Sequence, residues 1–256
     1  MKLYCCQFDI AWEDKPANHA KIRSLLKSRE LEPGSLLVVP EMFSTGFSMH
    51  VEKVAEGEAC ASINFVRELA RELSVFVVAG VVIRRENGLG SNEAIAVSPA
   101  GEVLTTYSKI HPFTLGGELN HYSRGKNIVS FEWNELRVVP FICYDLRFPE
   151  LFRSAVQQGA EMFLVIANWP NKRERHWTTL LEARAIENLA YVAGVNRIGA
   201  DPDHVYPGRS MIFDPQGRTM ADAGSTEGII SAEVDRKAVL DWRTQFPALK
   251  DQHWKA

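Results

Sequence analysis

Short apolar runs alternate along the chain with longer segments of helical periodicity, and this alternation constrains the fold more than any other feature. The runs that are apolar almost throughout are "SLLVVP", "VFVVAGVVIR", "LRVVPFIC" and "EMFLVIAN". Runs of this kind are typical of strands that are buried on both faces. Between them, apolar residues recur at helical spacing, as they do at Ile63, Val66, Leu69, Ala70 and Leu73. Strands that alternate with helices predict an α/β fold with parallel strands.

Two hairpin signals interrupt this alternation. The segments "NEAIAVSPAGEVLTTYSK" and "RSMIFDPQGRTMADAG" each read as two strands joined by a P-x-G turn, at Pro99 and at Pro215. Their recurrence suggests a quasi-repeat, in which two β-α halves pack sheet against sheet with helices outside. No low-complexity linker divides the chain, so we expect residues 1–256 to form a single domain.

Composition narrows the classes of function. The formal net charge is -3, so the chain lacks the basic surplus that nucleic-acid binding requires. No apolar run reaches membrane-spanning length, and the start "MKLYCCQFDI" lacks the features of a secretory signal, which predicts a cytoplasmic protein with no membrane partner. The chain has four cysteines without C-x-x-C spacing and no histidine pair at zinc spacing, so we expect neither a disulfide framework nor a metal site.

Three reactive side chains stand where predicted strands end. Glu41 follows "SLLVVP", Lys109 follows "EVLTTYS" and Cys143 follows "LRVVPFI". Ligands of open α/β sheets bind beyond the carboxyl ends of the strands, so these three groups are candidates for one site. Each of them alone is more often structural, because a buried Cys acts as a small hydrophobe and a strand-end Glu or Lys is commonly the first wetted residue.

Taken together, the three groups fit nucleophilic acyl transfer. A thiol with an ordinary pKa of ~8.5 needs a base or a nearby cation to act as a nucleophile at neutral pH. A carboxylate can take the thiol proton and pass it to a leaving amine, and an ammonium can stabilise the oxyanion. Pro149 suits the first turn of a helix, so we expect a strand-to-helix elbow at Cys143 that exposes the thiol.

The motifs around these residues resemble those of the nitrilase (carbon–nitrogen hydrolase) superfamily. They are "VVPEMFSTGF" around Glu41, "YSKIHPF" around Lys109 and "FICYDLRFPE" around Cys143, in the order of that family's Glu-Lys-Cys triad. The later stretch "HWTTLLEARAIENLAYVAGVNRIG" is similar to the family's helix and strand after the nucleophile. The resemblance implies an α/β fold built as a four-layer α-β-β-α sandwich, and a homodimer that pairs through its helices.

The resemblance also implies a role for each residue. Cys143 would attack an amide carbonyl and form a thioester, and Glu41 would act as the general base that later protonates the departing ammonia. Lys109 and the backbone N–H of Tyr144 would hold the oxyanion. Glu118, in "TLGGELNHY", matches a further glutamate of the family, although a solvated loop acid is the structural alternative. The resemblance implies no cofactor, and its expected partner is a small-molecule amide.

Within the family, "CYDLRFPE" and "NWP" resemble the bacterial ω-amidase branch, which hydrolyses the terminal amide of 2-oxo acids. Such a substrate carries a carboxylate opposite its scissile bond, and the guanidinium fork of an arginine suits a carboxylate. Arg147 and Arg173 are the candidate arginines, and Trp169 is a candidate pocket wall. A salt bridge, with Glu150 or Glu182 for example, is the structural alternative for each arginine.

Three alternatives stay open. An aliphatic amide or an N-carbamoyl amino acid is an alternative substrate within the family. A non-catalytic binding protein of the same fold is an alternative from another class, and faster alkylation of Cys143 than of the other cysteines would argue against it. His111 lies close to Lys109, which keeps a papain-like Cys–His pairing as a minor alternative.

Overall fold

Two six-stranded sheets form the centre of the computed structural model, which describes residues 1–27, 29–57 and 60–253. The first sheet contains β1 (Lys2–Gln7), β2 (Leu36–Val38), β3 (Phe76–Arg84), β4 (Gly90–Val97), β5 (Val103–Ser108) and β14 (Gly228–Glu233). The second contains β6 (Phe131–Trp133), β7 (Leu136–Ile142), β8 (Met162–Ala167), β9 (Tyr191–Asn196), β12 (Met211–Phe213) and β13 (Thr219–Asp222). A separate two-stranded hairpin is formed by β10 (Ile198–Ala200) and β11 (Val205–Pro207).

Helices connect these strands. They are α1 (Lys15–Lys27), α2 (Val51–Val54), α3 (Ala61–Leu73), α4 (Pro149–Gln157), α5 (Glu174–Asn188) and α6 (Arg236–Gln245). Short 3-10 turns cover Thr114–Gly116, Glu118–Asn120, Cys143–Arg147, Asn171–Arg173 and Ala248–Asp251. Within the described ranges, the helices are too short or too polar to span a membrane.

The two sheets share one topology, which confirms the quasi-repeat. The first sheet has the order β14-β1-β2-β3-β4-β5, and the second has the order β6-β7-β8-β9-β12-β13 when read in the matching direction. In each sheet three parallel strands are flanked by antiparallel ones. The two P-x-G turns join β4 to β5 and β12 to β13, which occupy equivalent places in the two halves.

Alternation along the strands builds four layers. In β1, Leu3 and Cys5 pack into the core between the two sheets, whereas Tyr4 and Cys6 pack on the face that α1 and α3 cover. Adjacent residues of a strand point to opposite faces, so the two neighbouring cysteines lie in different cores. Helices α4 and α5 cover the outer face of the second sheet. The order of layers is helix, sheet, sheet, helix, as the α-β-β-α sandwich predicts.

Strand direction brings the predicted reactive groups to one edge of the sandwich. In the first sheet β2 and β3 are parallel, and two antiparallel steps give β5 the same direction, so Glu41 and Lys109 follow strands that end at the same edge. In the second sheet β7 and β8 are parallel and end at Cys143 and Asn168. The site forms where these two edges face each other.

Candidate active site

Cys143 stands on a tight turn directly after β7. Its backbone adopts a φ of 46°, which is unusual for a residue other than glycine. A 3-10 turn runs from Cys143 to Arg147, and α4 begins at Pro149, so the predicted elbow is present with the 3-10 turn as an intermediate. A strained backbone of this kind persists only where the surroundings fix it.

Asp145 fixes the elbow to the segment around Lys109. Its side chain is fully buried and accepts hydrogen bonds from Tyr107 Oη at 2.8 Å, from the N–H of Ile142 at 3.2 Å and from the N–H of His111 at 2.9 Å. The ring Nδ1 of His111 lies 3.0 Å from Asp145 Oδ1. One carboxylate therefore joins β5, the loop after Lys109 and the cysteine turn.

Lys109 lies between two buried glutamates. Its Nζ is 3.0 Å from Glu41 Oε1, and 3.1 Å and 2.9 Å from the two carboxylate oxygens of Glu118. All three side chains are 1% exposed or less. Glu118 also accepts a hydrogen bond from the N–H of Phe113. The structural alternative for Glu118, a solvated loop acid, is therefore wrong.

Four hydrogen-bond donors surround the Glu41 carboxylate. Oε1 accepts from Asn92 Nδ2 at 2.7 Å and from Lys109, whereas Oε2 accepts from the N–H of Asn168 at 2.8 Å and from its Nδ2 at 3.3 Å. The backbone of Glu41 packs closely on β3 at Gly80, where an added Cβ would lie 2.5 Å from Glu41 Cα. Glycine at this position is what allows the carboxylate to reach the edge of the sheet.

The charges of this cluster set the resting state of the thiol. Burial alone would lower the pKa of Lys109, but Glu118 and Glu41 outweigh it and raise that pKa, so the lysine is an ammonium. Burial, and then the charge of Glu41, raise the pKa of Cys143 well above its usual range, against an opposing effect of Lys109. The resting thiol is therefore protonated at neutral pH, and its attack on a substrate requires a proton acceptor.

A pocket opens at Cys143. Besides Cys143, the predicted residues that line it are Tyr144, Arg147, Trp169 and Arg173. The other residues that line it are Phe47, Met49, Phe113, Gly116, Asn168, Pro170, Asp201, Asp203, His204 and Tyr206. Glu41, Lys109 and Glu118 do not line this pocket.

The two arginines of the pocket have no carboxylate partner. Among the residues that the structure describes, no Asp or Glu oxygen lies within 4.0 Å of either guanidinium, so the expected structural alternative of a salt bridge is absent. Arg147 lies over the ring of Trp169 at 4.9 Å and donates to His176 Nδ1 at 3.1 Å, and Arg173 lies over the ring of Phe113 at 5.1 Å. Burial, followed by repulsion from Arg173, lowers the pKa of Arg147. This end of the pocket is suited to an anion.

Three polar residues of the site were not predicted from the sequence. Asn92 donates from Nδ2 to both Glu41 and Glu118, Asn168 contacts Glu41 and Cys143, and Asp145 fixes the elbow. A polar residue directly after an apolar strand, as in "ANWP", is the signal that marks Asn168. No comparable signal marks Asn92, whose partners come from distant segments.

The papain-like alternative finds no support in the geometry. The ring of His111 contacts Asp145, and Sγ of Cys143 lies 3.9 Å from the carbonyl oxygen of Asn168. In the described part of the chain, no group of three His, Cys, Asp or Glu side chains is arranged to hold a metal ion.

Comparisons with known proteins place the chain in one family. The family model described as Carbon-nitrogen hydrolase matches residues 2–244. A 2-oxoglutaramate amidase of Bacillus subtilis (strain 168) is 34% identical over 248 residues, which cover 96% of this chain and 95% of that protein. The omega-amidase YafV of Yersinia enterocolitica is 38% identical over 253 residues, which cover 98% of this chain and 96% of that protein.

Solved structures share the whole architecture. A CN-hydrolase superfamily protein of Xanthomonas campestris, whose crystal structure has an arsenic adduct in the active site, is 30% identical with a TM-score of 0.93 over 100% of this chain and 98% of its own. Nit3 of Saccharomyces cerevisiae, at 24% identity and a TM-score of 0.88 over 99% of this chain and 97% of its own, shares the fold. The chain belongs to the carbon–nitrogen hydrolase family and is a hydrolase of the carbon–nitrogen bonds of amides.

Proposed function

We propose that this enzyme is a thiol amidohydrolase that cleaves the terminal amide of a 2-oxo acid ω-amide to the acid and ammonia. The observation that carries the proposal is one pocket lined both by Cys143 and by two arginines that lack carboxylate partners. Asn168 contacts both the thiol and Glu41, which belongs to a buried cluster of Glu41, Lys109 and Glu118. This combination suits an amide that carries an anionic group at its other end.

In the proposed acylation step, Sγ of Cys143 attacks the amide carbonyl carbon while the S–H proton passes to Glu41. The ammonium of Lys109 and the N–H of Tyr144 stabilise the negative oxygen that forms. Collapse of the tetrahedral intermediate breaks the C–N bond. Glu41 gives its proton to the leaving nitrogen, which departs as ammonia, and a thioester remains on Cys143.

Hydrolysis of the thioester completes the proposed cycle. A water molecule attacks the thioester carbonyl and loses a proton to a carboxylate of the cluster, and Glu41 is the candidate. The C–S bond breaks, the acid leaves, and the sulfur regains its proton. Glu118 supports both steps because its two oxygens hold Lys109 in place, and the N–H of Phe113 in turn holds Glu118.

The arginines define the proposed substrate class. A desolvated carboxylate without a cation is costly, so the carboxylate of the substrate needs a guanidinium in the pocket. Arg147 is our first candidate for this contact and Arg173 the second, with Trp169 as the wall that orients Arg147. Two relatives over nearly the full length are named for 2-oxoglutaramate or ω-amides, which supports this class.

An ammonia-release screen tests the proposal directly. The panel contains 2-oxoglutaramate, 2-oxosuccinamate, a neutral amide of similar length, an N-carbamoyl amino acid and a nitrile. We expect the two 2-oxo acid amides to have much the highest kcat/KM. Preference for the neutral amide or for the N-carbamoyl acid would refute the substrate class and leave the thiol mechanism standing. No ammonia from any compound would favour a binding protein.

Arg147→Met tests the carboxylate contact. Hydrogen bonds to charged groups contribute about 1.5–3 kcal/mol, so kcat/KM for the acidic amide should fall by roughly ten- to hundredfold. The kcat/KM for the neutral amide should change little, so the ratio of kcat/KM between the acidic and the neutral amide should fall. Arg175→Met is the matched control, because Arg175 is an exposed arginine on α5 that lies outside the pocket. An equal loss in both variants would refute a direct contact.

Three further points belong to the proposal. We expect residues 1–256 to act as one domain, which is supported by a family match over residues 2–244. We expect a homodimer through the outer helices, where Ile186 and Leu240 are 49% and 44% exposed, and light scattering tests it. We expect a cytoplasmic location, because all four cysteines are unpaired, as in a reducing compartment.

A further inference from the structure

Asn168 lies at the meeting point of the two sheets. It follows β8 directly, and β8 is the parallel neighbour of β7, which ends at Cys143. Its side chain is buried, with 4% of the residue exposed, although the residue borders the pocket.

Three hydrogen bonds join Asn168 to Glu41 on the opposite sheet. The backbone N–H donates to Glu41 Oε2 at 2.8 Å, and Nδ2 donates to the backbone oxygen of Glu41 at 2.7 Å and to Oε2 at 3.3 Å. Both partners of Nδ2 are acceptors, which fixes the orientation of the amide. The other amide atom, Oδ1, is buried and has no hydrogen-bond partner among the described residues.

The same residue also contacts the nucleophile. Its backbone oxygen lies 3.9 Å from Sγ of Cys143. Asn168 is therefore in contact with the carboxylate on one sheet and the thiol on the other, and a shift of its backbone would move the two groups relative to each other. Misplacement by about 1 Å is enough to cost an enzyme about 10²-fold in rate.

The four donors on Glu41 also distinguish its two oxygens. Oε1 is held at 2.7 Å by Asn92 and at 3.0 Å by Lys109, and both of these groups can only donate there. Oε2 accepts from the N–H of Asn168 at 2.8 Å and from Nδ2 of Asn168 at 3.3 Å, which is the longest of the four bonds. The longer bond is the one most easily given up, so Oε2 is the oxygen with room for a proton.

We propose that Asn168 is a positioning residue, which holds Glu41 against Cys143 and directs the thiol proton to Oε2. The proposal rests on the proposed function of the site. In the step concerned, the S–H bond breaks, an O–H bond forms on Oε2 and the Nδ2 contact with Oε2 is released. Sγ bonds to the substrate carbonyl carbon as the π bond of the carbonyl breaks and its electron pair moves to the oxygen, which becomes the oxyanion. The contact of Nδ2 with the backbone oxygen of Glu41 keeps the base in place meanwhile.

Substitutions of Asn168 separate this role from simple packing. Asn168→Ala and Asn168→Ser leave side chains of similar size, but only serine keeps a donor. Asn168→Leu keeps a similar branched shape and removes the donor without adding a charge beside Glu41. We expect kcat to fall by about 10²-fold in the Ala and Leu variants and by clearly less in the Ser variant, with KM changed by less than about threefold. Packing alone would make Ala equal to Ser, and Leu close to wild type.

The split between kcat and KM provides the second readout, because loss of the positioning of Glu41 should lower kcat while binding in the pocket, and with it KM, stays nearly unchanged. Asn196→Ala is the matched control, since this buried asparagine ends β9 and holds the backbone of Trp169 without contacting Glu41.

Three kinetic outcomes would overturn the proposal. They are a kcat within about threefold of wild type in the folded Ala and Leu variants, equal rates for Ala and Ser, or an equal fall of kcat in Asn196→Ala. If the Ala variant fails to fold, the Leu variant of similar shape decides. Iodoacetamide alkylation of Cys143 needs no amide substrate, and it should slow in Asn168→Ala but not in Asn196→Ala. A wild-type enzyme that releases no ammonia would refute the proposed function, whereas unchanged alkylation would refute the role of Asn168.

Discussion

Replacing Lys109 by methionine removes the cation from a fully buried cluster while nearly keeping the length of the side chain. Lysine Nζ makes contacts of 3.0, 3.1 and 2.9 Å with the carboxylate oxygens of Glu41 and Glu118, and neither glutamate is exposed. Methionine fills most of the same space, so the main effect is electrostatic. Removal of one partner from a buried ion pair costs about 3–5 kcal/mol, because the remaining charge is left uncompensated.

This loss of stability should be measurable as a shift of the midpoint of urea unfolding. With an m-value of about 2–3 kcal/mol/M, the midpoint should fall by roughly 1–2.5 M.

Tryptophan fluorescence at two protein concentrations, with circular dichroism in parallel, measures these midpoints. Lys237→Met is the control, because it removes a lysine from an exposed ion pair with Asp241, and its midpoint should stay close to that of wild type. The double variant Lys109→Met with Glu118→Gln should be less destabilised than the sum of the two single variants. A Lys109→Met midpoint within experimental error of wild type would refute the buried cluster as described.

Two further predictions concern the support of the site. Gly80→Ala places a Cβ 2.5 Å from Glu41 Cα, so the backbone of Glu41 must move and kcat should fall by about 10²-fold. Gly57→Ala should keep wild-type kinetics, because an added Cβ there meets no atom of the described residues within 4 Å. Unaltered kcat in a folded Gly80→Ala variant would contradict this. Tyr107→Phe removes the 2.8 Å hydrogen bond to buried Asp145 and should lower the free energy of unfolding, measured in urea titrations, by about 1.5–3 kcal/mol. A change below about 0.5 kcal/mol would contradict the role of this hydrogen bond in fixing the turn at Cys143.

The elements that surround the site could be predicted because each has a local signal. The buried strands β2, β7 and β8 are short continuous apolar runs, and Pro149 marks the start of α4. Glu41, Lys109 and Cys143 are recognisable because each follows such a strand. Because the strands that precede these residues share one direction within each sheet, their carboxyl ends lie at one edge of the sandwich.

Elements with weak or distant signals could not be predicted. Strand β14 pairs with β1 from the other end of the described chain, and most of its residues are half-buried, so its apolar pattern is weak. Strands β10 and β11 have three residues each, too few for a periodic pattern, although their hairpin brings Asp201, His204 and Tyr206 to the pocket. The contact of Asn168 with Glu41 depends on how the two sheets face each other, and that of Asn92 depends on the strand order β2-β3-β4 within the first sheet. Local sequence records neither.

The thioester on Cys143 is the central claim, and mass spectrometry of the acid-quenched enzyme during turnover of 2-oxoglutaramate tests it most directly. We predict a mass gain equal to the 2-oxoglutaryl group, located by peptide mapping on the peptide that contains Cys143. The same peptide of Cys143→Ala should gain no mass, and that variant should release no ammonia above background. An adduct on a different residue, or wild-type turnover by Cys143→Ala, would contradict the account.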